Sequence, residues 1–196
     1  MANIVGLCGS LRRDSYNAAL LRAAARLVPD GSRIDARTLH GVPLYDGDLE
    51  TAEGIPPAVA ALKDAVAAAD GLLLVTPEYN NGVPGVFKNA IDWMSRPAAD
   101  IVRVFAGRPV AVIGASPGGF GTQLAQNAWL PVLRTLGTAP WFEGRLMVAR
   151  AGQVFDGEGR LVDAGIERRL GEFLAGFCAH AARRQGAQPS GSGHDL

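Results

Sequence analysis

The chain has 196 residues, of which 48% are hydrophobic and 19% are charged, and this composition is typical of a soluble globular domain. Its 19 basic and 19 acidic residues give zero formal net charge, so the sequence lacks the charge excess that nucleic-acid-binding or membrane-surface proteins use. The apolar runs are too short to cross a bilayer, and the N-terminus passes directly into a strand pattern, so we predict neither membrane insertion nor a secretory signal.

The cysteines and histidines give no sign of a metal site or a catalytic triad. Cys8 and Cys178 lie far apart in apolar surroundings, which predicts buried free thiols and favours a reducing, cytoplasmic location. His40, His180 and His194 are scattered along the chain. We therefore expect no metal and no side-chain nucleophile.

Apolar strand patterns alternate with amphipathic helix patterns along the chain. Predicted strands cover residues 4–8, 33–39, 72–75, 110–113 and part of 138–148; predicted helices cover 18–28, 57–69, a segment opened by Val83-Pro84, a segment ending near 136, and 164–183. Residues 41–48 are predicted to be a loop and 156–159 a tight turn.

This alternation predicts one α/β domain over residues 1–184, because strands joined through helices form parallel sheets with right-handed crossovers. We expect a flavodoxin-like, doubly wound, five-stranded parallel sheet of order 2-1-3-4-5, with helices on both faces. The remaining residues, 185–196, are rich in Gly, Ser and Gln and are predicted to form a disordered tail.

The loop after the first strand, residues 9–17, contains Ser10, Arg12, Ser15 and Asn17 and runs directly into a helix. Unpaired N–H groups at a helix start, hydroxyl donors and a guanidinium group together predict an anion site. The same pattern also fits an ordinary turn in which Ser or Asn caps the helix. The loop has neither the Walker Gly-Lys-Ser/Thr ending nor a G-x-G-x-x-G frame, which favours a phosphate monoester such as a mononucleotide.

Two further unusual loops, residues 76–82 and 114–122, follow the third and fourth strands. In the predicted topology both emerge beside residues 9–17 at the carboxyl edge of the sheet, where open α/β sheets bind ligands. Residues 76–82 offer an aromatic ring and backbone amides, and glycines in 114–122 allow the backbone to approach a flat ring closely. The three loops together favour FMN, although ordinary turn chemistry and a surface Tyr79 remain the alternative.

The sequence resembles the NADPH-dependent FMN reductase family of the flavodoxin-like superfamily, particularly its quinone and chromate reductase branch. The matching stretches are residues 9–17, 43–46 and, most specifically, 76–96, and the resemblance covers about residues 3–183. It implies bound FMN, NADPH or NADH as hydride donor, and a small-molecule acceptor such as a quinone, chromate, an azo dye or a ferric compound. It also implies a ping-pong transfer of two electrons and a homodimer or homotetramer with the flavin near a subunit interface.

The resemblance also implies site residues by position, with no catalytic side chain because the flavin carries the chemistry. The residues implied to hold the FMN phosphate and its neighbourhood are Ser10, Arg12, Ser15, Tyr16 and Asn17. Those implied to line the isoalloxazine ring are Pro77, Glu78, Tyr79 and Asn80, with Ser116, Gly118 and Gly119 bordering its other edge.

Three other functions share these features. A reductase that supplies free reduced FMN to a monooxygenase would use the flavin as a substrate. A flavodoxin-type electron carrier would use the same fold and cofactor, but such carriers are usually strongly acidic and this chain has no net charge. A nucleotide- or phosphosugar-binding domain would have no redox role. The sequence leaves the physiological acceptor and the choice between NADPH and NADH open.

Overall fold

A computed structural model describes residues 1–186, with side chains described to residue 183. The predicted tail, 185–196, lies outside the described residues except for its first two, which extend the last helix. The strands are β1 (Asn3–Cys8), β2 (Arg33–Arg37), β3 (Gly71–Val75), β4 (Pro109–Ala115), β5 (Ala139–Pro140) and β6 (Leu146–Val148). The helices are α1 (Tyr16–Leu27), α2 (Gly47–Glu53), α3 (Pro57–Ala68), α4 (Gly85–Met94), α5 (Asp100–Val104), α6 (Gln123–Thr135), α7 (Ala151–Val154) and α8 (Ala164–Gly186).

The strands form one parallel sheet of order β2-β1-β3-β4-β5, with β6 also paired to β4. Helices α1 and α8 cover one face, and α3, α4 and α6 cover the other. This is the predicted flavodoxin-like, doubly wound arrangement. Its switch point lies between β1 and β3, where the chain changes direction across the sheet.

The central strand β3 is fully buried because both faces of the sheet are covered. Its Leu72–Val75 run presents apolar side chains alternately to the two helical layers, so a uniformly apolar sequence suits it. Helix α4 packs Phe87, Ala90 and Ile91 against the α3 side of the sheet. The apolar spacing that predicted this helix therefore also predicts its buried face.

The fifth strand differs from the prediction because it is broken into β5 and β6. Val110 pairs with Pro140 and Ile113 pairs with Leu146, so residues 141–145 bulge opposite only two residues of β4. The ring of Trp141 is buried in the α8 layer, where it lies edge-on to Phe173. The bulge therefore accompanies the burial of this large side chain.

Other elements were missed or bounded differently. The predicted loop 41–48 contains the start of α2, since Asp46 caps this helix by accepting a hydrogen bond from the N–H of Asp48 at 2.8 Å. Helix α5 was not predicted, and β4 continues to Ala115, inside the predicted loop 114–122.

Candidate functional site

Three loops converge at the carboxyl edge of the sheet and enclose a shallow cleft of about 100 Å³. They follow β1, β3 and β4, as the topology predicts. The residues lining the cleft are Ser10, Arg12, Ser15, Tyr16, Asn17, Pro77, Glu78, Tyr79, Ala115, Ser116 and Pro117.

Most of the predicted site residues therefore lie around one cleft. Asn80, Gly118 and Gly119 were also predicted to contact the flavin, and they lie outside this lining. Ala115 and Pro117 line it without having been predicted. Their positions beside Ser116 are the only sequence signal that could have indicated them.

The first loop presents hydroxyl groups at the start of α1. Ser15 caps this helix, since its Oγ accepts hydrogen bonds from the N–H groups of Asn17 and Ala18 at 3.2 and 3.3 Å. The Oγ of Ser10 accepts a bond from the N–H of Arg12 at 3.3 Å. The capping interpretation of Ser15 is thus correct, since its Oγ serves the start of α1.

Asn17 is 4% exposed, and its side chain forms hydrogen bonds with the protein backbone. Its Nδ2 donates to the carbonyl of Ala115 at 2.9 Å, and its Oδ1 accepts from the N–H of Ala115 at 2.9 Å. These bonds join the start of α1 to the end of β4. Asn17 therefore fixes the distance between the first and third loops.

Arg12 is the cation of the cleft. Its side chain is exposed, and no described carboxylate lies within ion-pair distance of it. By contrast, Cys8, just before this loop, is buried, and burial raises the pKa of its thiol. The cleft therefore offers a free guanidinium group and no reactive thiolate.

The second loop is a tight turn that projects Tyr79 into solvent. Tyr79 and Gly82 exchange two backbone hydrogen bonds, of 3.2 and 3.0 Å, across Asn80 and Asn81. Both asparagines have positive φ, 50° and 61°, a conformation that Asn tolerates better than most residues. The turn explains why Asn80 lies outside the cleft lining, and Tyr79 remains 49% exposed at the rim.

Glu78 connects the second loop to α6. Its Oε2 accepts hydrogen bonds from the N–H groups of Leu124 and Ala125 at 2.8 and 2.9 Å. A carboxylate at a helix N-terminus is stabilised by the unpaired N–H groups and by the helix dipole. This carboxylate therefore positions the second loop and is not a free anion facing the cleft.

The third loop is held by the segment that follows β6. Backbone N–H groups of Ala151 and Arg150 donate to the carbonyls of Ser116 and Gly118 at 3.1 and 2.9 Å. At the base of the loop, a Cβ on Gly114 would lie 2.1 Å from the carbonyl oxygen of Thr76. Glycine is therefore needed where the second and third loops approach each other.

A larger cavity, of about 220 Å³, lies between α6 and the interrupted fifth strand. Its lining includes Val110, Val112, Leu133 and Met147, and Arg145 is its single basic residue. It contains none of the predicted site residues. The smaller cleft, with its hydroxyls and guanidinium group, is the better match to a phosphorylated ligand.

Two negative findings apply to the described part of the chain. None of its helices combines the length and the apolar composition needed to cross a membrane. Within the same residues, no group of three or more His, Cys, Asp or Glu side chains is arranged to hold a metal ion.

Comparison with known proteins gives matches over most of the chain. Residues 2–153 match the family described as NADPH-dependent FMN reductase. The chain is 45% identical to an NAD(P)H-dependent FMN reductase of Pseudomonas aeruginosa over 160 residues, which cover 82% of this chain and 84% of that protein. It is 37% identical to a 2-hydroxy-1,4-benzoquinone reductase of a Burkholderia species, over 93% of this chain and 97% of the relative.

A solved structure shows the same fold. The flavoenzyme NAD(P)H:(acceptor) oxidoreductase FerB from Paracoccus denitrificans superposes with a TM-score of 0.81 and is 32% identical. The match covers 93% of this chain and 98% of FerB.

Proposed function

The chain belongs to the NADPH-dependent FMN reductase family, and from this premise we propose that it is an FMN-dependent NAD(P)H oxidoreductase that reduces quinones or similar small acceptors. The observation that carries the proposal is the convergence of three loops on one cleft whose lining includes Arg12, Ser10 and Tyr79. Relatives named for FMN reduction and for benzoquinone reduction support the cofactor and the acceptor class.

The first loop fits a phosphate group. The Oγ of Ser10 accepts a backbone hydrogen bond, which leaves its hydroxyl proton for a phosphate oxygen. Ser15 lies beside it as the cap of α1. Arg12 adds a guanidinium fork that suits phosphate geometry. In this proposal Asn17 orients the loop through Ala115 and does not bind the phosphate through its carboxamide.

The second and third loops suit the two borders of a flat ring. Pro77 and the exposed Tyr79 offer apolar and aromatic surface on one side, and Ser116 offers a hydroxyl on the other. FMN supplies the hydride and electron chemistry when it is bound. The protein residues would hold and orient the cofactor, and the donor and the acceptor would react with it in turn.

The first experiment is an absorbance spectrum of the purified, dialysed protein, followed by anaerobic addition of NADPH. We expect flavin bands that survive dialysis and bleach with the donor. A protein that carries no flavin and fails to bind added FMN contradicts the proposal. Loss of flavin on dialysis, with activity restored by added FMN, favours the alternative in which FMN is an exchanging substrate that supplies a monooxygenase.

Steady turnover separates an enzyme from a carrier. The proposed reductase oxidises NADPH continuously when a soluble quinone is the only other substrate. A flavodoxin-type carrier shows no such turnover, because it needs a partner enzyme to reduce it.

We also propose a homodimer or homotetramer in the cytoplasm. Leu44 is 79% exposed and Tyr45 is 40% exposed on a loop held to α4 by Asn89, whose Nδ2 donates to the carbonyl of Pro43. Such exposure of neighbouring apolar side chains supports a subunit contact. Light scattering of the wild type and of Leu44→Asp tests this contact, with dissociation expected in the variant.

The proposed cytoplasmic location is supported by the free thiols of Cys8 and Cys178, which suit a reducing compartment.

A further inference from the structure

Arg150 occupies a conformation that its residue type does not favour. Its φ of 49° and ψ of 45° lie in the left-handed region, which Gly and Asn adopt far more readily than Arg. Strained residues of this kind cluster at binding sites, where the side chain is needed at that position. An arginine at a position suited to glycine therefore points to a role for its guanidinium group.

The backbone places Arg150 at the rim of the cleft. Its N–H donates to the carbonyl of Gly118 at 2.9 Å, and the N–H of the next residue donates to the carbonyl of Ser116, which lines the cleft. On the other side, a Cβ on Gly152 would lie 3.3 Å from the hydroxyl oxygen of Tyr16, another cleft residue. The segment that begins at Arg150 thus spans the gap between the first and third loops.

The side chain of Arg150 is also available for a ligand. It is exposed, and none of the carboxylates described in the structure lies within ion-pair distance of it. In the proposed function Arg12 is occupied by the FMN phosphate, so Arg150 is a second cation beside the same cleft. A second cation at this rim suits a second phosphate-bearing molecule.

We infer that Arg150 binds a phosphate group of the nicotinamide dinucleotide donor and so helps to determine which donor the enzyme uses. This inference rests on the proposed function, since it assumes that a donor binds over the FMN site. The phosphate is either the 2′-phosphate, which only NADPH carries, or the pyrophosphate that NADPH and NADH share. A guanidinium group recognises both kinds of phosphate in the same way. Loss of Arg150 would weaken only NADP⁺ binding in the first case and the binding of both NADP⁺ and NAD⁺ in the second.

The test uses the FMN-loaded protein and titration calorimetry with NADP⁺ and with NAD⁺, alongside KM values for NADPH and NADH. Arg150→Gly removes the charge and also relieves the left-handed strain, so a loss of folding does not explain its effect. Arg150→Lys keeps a charge without the planar fork. Arg145→Ala is the matched control, because Arg145 is also exposed but lines the larger cavity.

We expect Arg150→Gly to weaken NADP⁺ binding by about 10-fold or more, the scale of a lost charge-assisted hydrogen bond. We expect Arg150→Lys to retain part of the affinity. For Arg150→Gly we expect a wild-type FMN affinity and a melting temperature no lower than that of the wild type. Weakening limited to NADP⁺ identifies the 2′-phosphate, and equal weakening of NADP⁺ and NAD⁺ identifies the pyrophosphate. Unchanged affinity for both dinucleotides overturns the inference while leaving the proposed function intact, whereas a wild type that binds neither dinucleotide and oxidises neither NADPH nor NADH contradicts both.

Discussion

The side chain of Asn17 and the main chain of Ala115, 98 residues apart, form a closed pair of buried hydrogen bonds. Asn17 follows the N-cap of α1, and Ala115 ends β4, so the pair fastens two of the three loops that enclose the cleft. A carboxamide is suited to this position, because it can donate to the Ala115 carbonyl and accept from its N–H at the same time.

Asn17→Ala is expected to destabilise the protein because it leaves both backbone groups of Ala115 unpaired. Each buried group without a partner costs about 1–3 kcal/mol, so we expect a loss of about 2–6 kcal/mol in the free energy of unfolding of the flavin-free protein. Urea denaturation measures it. The exposed Asn127 on α6 gives the control, and Asn127→Ala is expected to change stability by less than about 0.5 kcal/mol. Unchanged stability with weaker FMN binding would instead identify Asn17 as a direct phosphate ligand.

Arg12→Ala is expected to weaken FMN binding without affecting folding, because its guanidinium group has no described partner in the protein. Loss of a charge-assisted hydrogen bond costs about 1.5–3 kcal/mol, which corresponds to a dissociation constant raised about 10- to 150-fold. Quenching of flavin fluorescence on titration with flavin-free protein measures this. Riboflavin, which has no phosphate, is expected to bind the variant and the wild type equally. Equal loss of FMN and riboflavin affinity would show that Arg12 does not act on the phosphate.

The ion pair of Asp100 with the buried Lys63 predicts a dependence of stability on pH. The Lys63 Nζ lies 2.7 Å from Oδ2 of Asp100, and its side chain is only 3% exposed. The hydrogen bond from Lys63, together with one from Arg103, lowers the pKa of the Asp100 carboxyl below its ordinary range. The stabilisation is therefore fully present above the unfolded-state pKa and is lost as the pH falls through the lowered pKa of the folded state.

Asp100→Asn tests that dependence when free energies of unfolding are compared from neutral to acid pH. We expect the wild type to be more stable than Asp100→Asn at neutral pH. The difference between their free energies of unfolding is expected to shrink as the solution becomes more acidic than about pH 5. Asp30→Asn, at an exposed aspartate, provides the comparison that corrects for general charge effects. A difference that stays constant over the whole range contradicts the prediction.

Gly114→Ala is expected to disrupt the base of the third loop. The added Cβ would lie 2.1 Å from the backbone oxygen of Thr76 and 2.3 Å from Oγ1 of Thr122, so backbone must move. Overpacking of this kind costs about 1–3 kcal/mol. Gly119→Ala, in the same loop but with no atom within 4 Å of the new Cβ, is the matched control and is expected to melt like the wild type. Equal melting temperatures for the two variants would contradict the close approach.

Elements with a regular pattern of apolar residues could be predicted from the sequence. The uniformly apolar run of β3 and the spaced apolar residues of α4 predict a covered parallel sheet, and this sheet order places the three loops at one edge. Short elements contain too few residues to show such a pattern. Helix α5 has five residues, of which only Val104 is buried, so its pattern is too short to recognise.

Contacts between distant residues could not be predicted from local pattern. Asn17 looks like a phosphate ligand or a cap in its own loop, and only the folded chain brings Ala115 to it. Glu78 likewise appears to be a cleft carboxylate until α6 supplies two N–H donors. The break between β5 and β6 accompanies the packing of Trp141 against α8. The sequence around Trp141 does not specify this long-range contact.

The same break shapes one edge of the sheet. A long, flat edge strand offers unpaired backbone groups on which another chain can add a strand and begin to aggregate. Here one edge of the sheet is divided into a two-residue piece and a three-residue piece separated by a bulge. The opposite edge, β2, carries Arg33, Asp35 and Arg37, so charged side chains flank its free backbone. Both borders of the sheet thus discourage edge-to-edge pairing with another chain.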